Sequence, residues 1–147
     1  SLRGKRFKLL PFIDYMDKKV NLFMQKLKKI SDFNRVRFVI LFGSQASGNA
    51  NKMSDYDFAV YYDGNEDQRY KFKLRANFDE KYDVKVFQDL PLFIKKEVLK
   101  GEVIYAQDLS FVSDIAYKTI KDFERFKKYY YDYISRRPVV KWLKRSY

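Results

Sequence analysis

Two stretches, Leu41-Phe42-Gly43-Ser44-Gln45-Ala46-Ser47-Gly48 and Ser54-Asp55-Tyr56-Asp57-Phe58-Ala59-Val60, decide how this chain reads. Ahead of the first glycine, Arg35 to Phe42 ends in a continuous, partly β-branched apolar run, which predicts a buried strand closed by Gly43-Ser44. Residues 45–54 are small and polar, and Asp55 to Tyr62 then predicts a second strand, stopped by Asp63-Gly64-Asn65. Residues two apart on a strand point to one face, so Asp55 and Asp57 aim both carboxylates at one spot. Like charges that close repel unless a cation lies between them, and a hard, oxygen-liganded ion such as Mg2+ or Mn2+ answers that need. Gly43-Ser44 fits the same picture, because a strand-to-helix turn exposes backbone N–H groups, glycine admits a phosphate, and the serine hydroxyl adds a hydrogen bond.

Outward from this centre, Ile13, Met16, Val20, Phe23, Leu27 and Ile30 step by three and four, which predicts a helix over about 12–30 with one packing face. Downstream, a charged helical segment over about 67–80 leads to a third strand, Tyr82 to Phe87. Its Asp83 shares a face with Lys85, opposite Val84 and Val86. A carboxylate pointing into a core is costly, so Asp83 belongs on a solvated face or in a metal site. Pro91 opens a short helix to about Lys100, Gly101 caps it, and Val103-Ile104-Tyr105 forms a fourth strand. A helix over about 113–134 carries Ala116, Ile120, Phe123, Phe126 and Tyr130 on one side, and a basic tail with Trp142 follows Pro138. Helices and strands interleave with no repeat or linker. The expectation is therefore one α/β (α+β) domain over 1–147, with a small mixed sheet between N- and C-terminal helices.

Composition narrows the chemistry. The 147 residues contain no cysteine and no histidine, which excludes disulfides, thiolate nucleophiles, Cys or His zinc sites and imidazole-based triads. Carboxylates, hydroxyls, lysines and a bound metal are left to act. Net charge is +12, concentrated at the ends: nine basic against two acidic residues over 1–30, and ten against four over 109–147. Such ends suit solvated helix faces or an anionic partner, either an acidic protein surface or RNA. The run Tyr129-Tyr130-Tyr131 presents different helix faces, which suits packing and exposed surface better than base stacking. No run of about 18 apolar residues occurs, so no membrane span and a cytoplasmic location are expected. The segment after Gly43 lacks the Gly-Lys-Ser/Thr ending of a P-loop, and no Gly-x-Gly-x-x-Gly is present.

These stretches, together with Tyr82-Asp83-Val84, resemble the three signatures of the minimal nucleotidyltransferases (MNT) of the DNA polymerase β-like superfamily. The likeness covers about residues 34–108, with the outer helices as additions. It implies a nucleotidyltransferase in which Asp55 and Asp57 bind Mg2+ (or Mn2+), Asp83 is the third catalytic, metal-binding carboxylate, and Gly43 and Ser44 hold the triphosphate of ATP. It also implies an antitoxin of the HEPN/MNT kind, moving AMP from ATP to a tyrosine of a HEPN toxin ribonuclease. The toxin's own Arg-x4-6-His signature is excluded by the lack of histidine. Two other readings stand beside this one: transfer to a small-molecule or RNA acceptor, and a nucleotide-binding antitoxin that neutralises its partner sterically.

Overall fold

The computed structural model describes residues 13–43, 56–64, 68–78 and 82–136. In chain order they form α1 (Ile13–Lys29), β1 (Val36–Phe42), β2 (Tyr56–Tyr62), α2 (Gln68–Ala76), β3 (Tyr82–Val86), α3 (Leu92–Val98), β4 (Glu102–Ala106) and α4 (Leu109–Ser135). The sheet order is β3-β2-β1-β4, with β1 antiparallel to both β2 and β4, and β3 parallel to β2. This is the small mixed sheet that the sequence predicts.

Helices cover both faces of the sheet, which is why β1 in the middle is apolar almost throughout: Phe38, Val39, Ile40 and Leu41 are all buried. On one face, Phe23 and Leu27 of α1 and Tyr70 and Leu74 of α2 pack on Val39, Leu41, Tyr56, Phe58 and Val60. The centre of this core is a ring stack, Phe23 on Phe58, with centroids 3.7 Å apart and planes 6° from parallel. The expected α1 stripe is borne out from Val20 to Ile30; the side chains of 13–17 lie outside the described residues. On the other face, α3 and α4 bring Val98 and Val112 onto Phe38, Ile40, Ala59 and Phe87.

Arg35 ties β1 to the end of β2, donating from Nε to the Asp63 carbonyl and from Nη2 to the Gly64 carbonyl, both at 2.9 Å. Its guanidinium also lies 5.4 Å from the centre of the Tyr70 ring. Tyr70 is buried, and its hydroxyl meets no hydrogen-bond partner among the described residues. Burial pushes that phenol up to about 12, against the opposing pull of Arg35.

Three local expectations change in detail. Phe87 leaves β3 for a 3-10 turn, Phe87–Asp89, and is buried in the second core. Gly101 does follow α3, but not in a left-handed cap: a Cβ there would meet the Leu41 carbonyl and lie 3.0 Å from Cβ of Phe42, so close strand approach demands the glycine. α4 starts at Leu109, four residues earlier than the stripe predicts, because Asp108 caps it, accepting from the Ser110 N–H at 3.0 Å and the Ser110 hydroxyl at 2.9 Å. Its packed face runs through Val112, Ile115 and Thr119, whereas Ile120, Phe126 and Tyr130 are about half exposed.

Candidate active site

β2 alternates strictly. Tyr56, Phe58, Val60 and Tyr62 enter the α1 core, which sends Asp57, Ala59 and Tyr61 to the other face. The register then sets three residues in a row across one end of the sheet: Phe42 of β1 opposite Asp57 of β2, and Asp57 opposite Asp83 of β3. Paired residues of neighbouring parallel strands share a face, so Asp57 and Asp83 project to the same side, in adjacent places.

Gly43, which directly follows β1, closes the row on the other side. Its φ is +79°, and a Cβ on it would fall onto the Asp57 carboxylate, 3.2 Å from Cγ. Any side chain here is strained and also displaces Asp57. The turn glycine and the strand aspartate, fourteen positions apart in sequence, thus occupy one another's space. Ser44 and Asp55, the other expected site residues, lie outside the described residues.

Lys85, two residues beyond Asp83, brings Nζ to 3.3 Å from Oδ2 of Asp83. Both side chains are more than 40% exposed, so the pair contributes only about 0–1 kcal/mol, which leaves Asp83 free to exchange the ammonium for a stronger partner. Two carboxylates in adjacent register, beside a glycine that has no side chain, fit a hard divalent cation. Among the described residues no group of three acidic side chains assembles, and Asp55 lies outside them.

Beyond Asp83 lies a cleft of about 420 Å3, between the outer edge of β3 and α2, reaching the turn after β3. Lys71 and Arg75 of α2 line it, and neither stood out in the sequence. Their spacing of four on a helix, alternating with Leu74 and Phe78, was the available signal, but only the fold reveals that this helix flanks β3.

Comparison with known proteins places the chain in a family. The family "Polymerase beta, Nucleotidyltransferase" matches residues 25–110, and the chain belongs to it: it is a nucleotidyltransferase of the polymerase β-like fold. Among curated proteins it is similar to "Putative protein adenylyltransferase MJ1547" of Methanocaldococcus jannaschii, 31% identical over 96 residues that cover 65% of this chain and 75% of that protein. It is also similar to the protein adenylyltransferase MntA of Aphanizomenon flos-aquae, 37% identical over 51 residues, 35% of this chain and 32% of that protein. Among solved structures, a crystal structure of a toxin-antitoxin with AMP-PNP superposes with a TM-score of 0.59 at 20% identity, covering 78% of this chain and 94% of that one. The complex of a tri-AMPylated Shewanella oneidensis HEPN toxin with its MNT antitoxin gives 0.54 at 18%, covering 78% and 92%. At such identities the superpositions establish the fold. Among the described residues no helix is long and apolar enough to cross a membrane.

Proposed function

We propose that this chain is the antitoxin of a HEPN/MNT pair and acts as a protein adenylyltransferase, moving AMP from ATP to a tyrosine hydroxyl of a HEPN-type toxin. The observation that carries this reading is the row Gly43, Asp57, Asp83 across the sheet end, with a glycine that a phosphate can approach on one side and two carboxylates beside it. Its similarity to two proteins named as adenylyltransferases supports the reaction class.

In the proposed roles, Gly43 and Ser44 cradle the triphosphate and Asp55 with Asp57 hold Mg2+ or Mn2+, Asp83 completing the ligand set. When bound, the cation neutralises phosphate charge and lowers the pKa of an attacking hydroxyl. The tyrosine oxygen forms a bond to the α-phosphorus of ATP, the bond from that phosphorus to the bridging oxygen breaks, and pyrophosphate leaves with the electron pair. Asp83, in a chain without histidine, is the carboxylate placed to receive the phenolic proton.

Incubation with ATP labelled at the α-phosphate, magnesium and the cognate HEPN protein tests this. The toxin's tyrosine should carry the label, and Asp83→Asn should lose it while still binding the toxin. Label on RNA ends or on a small-molecule acceptor, with the toxin unmodified, overturns the antitoxin reading and keeps only the nucleotidyltransferase.

A further inference from the structure

The row across the sheet end has a direction. Gly43 closes it on the β1 side, and beyond Asp83 there is no further strand among the described residues, because β3 ends the sheet. If phosphates approach at Gly43, the acceptor must reach the carboxylates from the β3 side. There the structure holds the 420 Å3 cleft, with α2 as one wall, the outer edge of β3 as the other, and Asp83 in its lining.

An edge strand presents unpaired N–H and C=O groups along its length, and a groove between such an edge and a helix is how folded domains take up extended peptides as an added strand. Phe78, Val84 and Leu90 offer apolar contact to an alternate side chain of such a segment. The charge is also informative. Lys71 is paired with Asp89 and Lys85 with Asp83, whereas Arg75, exposed on the wall, makes no ion pair with the described residues. The groove therefore carries one unmatched positive charge.

We infer that this groove is the acceptor site: an extended, tyrosine-bearing segment of the partner protein, with an acidic side chain to meet Arg75, pairs with the outer edge of β3 and delivers its hydroxyl to Asp83. This rests on the adenylyltransferase reading and deepens it. It explains why the third carboxylate stands on the edge strand: the edge binds the substrate's backbone, and the carboxylate on that strand meets the substrate's side chain.

Arg75 is a positioning residue in this scheme, so Arg75→Glu should raise KM for the HEPN-type toxin roughly tenfold while kcat and KM for ATP stay within about twofold. An unchanged KM for the toxin overturns the inference. Because the chain has no cysteine, Arg75→Cys provides a unique attachment point for a benzophenone maleimide. Photolysis in the complex should capture the toxin segment holding the modified tyrosine, whereas a Glu102→Cys control on β4, the opposite edge, should not. Capture of a different segment, of RNA, or of nothing overturns it. Hydrogen exchange adds a backbone readout: amides of Tyr82–Val86 should slow on complex formation, and unchanged exchange there rules out strand addition. If the parent protein fails to label the toxin at all, the proposed function falls, whereas labelling that proceeds with no effect of Arg75→Glu removes the groove alone.

Discussion

Gly43 concentrates several demands on one residue. Its φ of +79° favours glycine, and the space a Cβ would take already belongs to the Asp57 carboxylate. Gly43→Ala should therefore cost about 1–2 kcal/mol of backbone strain and, because Asp57 must turn away, weaken binding of magnesium–ATP at least about tenfold by calorimetry. Unchanged affinity would mean that Asp57 does not hold the nucleotide's cation. Tyr70 makes a separate case. With its pKa raised to about 12 from 10, the folded state holds the phenolic proton more tightly than the unfolded state. The stability this gives is complete below pH 10 and is lost as pH rises from 10 through 12. Tyr70→Phe should remove that part of alkaline unfolding and shift neutral-pH stability by less than about 1 kcal/mol, because the buried hydroxyl it deletes has no hydrogen-bond partner among the described residues. Denaturant midpoints across that pH range decide it.

At the scale of elements, those whose apolar residues follow one clear period were legible in the sequence. The α1 stripe and the alternation in β2 placed both elements within a residue or two, since period 3.6 and period 2 report directly on which face is buried. The start of α4 was hidden for a physical reason: its N-terminus is set by a polar cap, Ser110 donating to the Asp108 carboxylate, and such a cap carries no apolar period. Gly101 does close α3, its N–H donating to the Val98 carbonyl, but the need for a glycine there comes from strand packing, which the sequence does not display. The cap carries its own prediction. The two hydrogen bonds from Ser110 hold the Asp108 carboxyl below its usual value of 3.8. The stability it gives is present above pH 3.8 and disappears as pH falls through the lower, folded value. Asp108→Ala should lower the melting temperature at pH 7 and leave it little changed at the acid end of that window. An equal loss at both ends would mean that the cap acts by something other than its charge.

Across the whole molecule, what the sequence could not give is the strand order, since pairing partners are far apart in the chain and alternation alone does not say which strand lies beside which. Asp57 and Asp83 were each recognisable as candidates, but only the parallel pairing of β2 with β3 sets them in adjacent places and puts the cleft beside them. The same order arranges charge. α1 and α4 wrap opposite faces of the sheet with exposed cations: Lys26, Lys28 and Lys29 on the first pair with no carboxylate among the described residues, and Lys118, Lys127 and Lys128 stand on the second. Between them, the sheet end carries carboxylates. A negative surface is drawn to the helices, and in the proposed site a triphosphate would need its metal to overcome repulsion at Asp57 and Asp83. If the net charge of +12 serves to capture an acidic partner, association should slow by at least about tenfold as salt rises from 0.1 to 1 M, where the screening length falls from about 10 to about 3 Å. Turnover at saturating partner should change less than about twofold, because the contacts that would align a hydroxyl with Asp83 in the proposed site are short-ranged and partly shielded from salt. Stopped-flow association and steady-state labelling separate the two quantities. A rate of association indifferent to salt would make the basic helices ordinary solvated faces and leave capture to the groove beside β3.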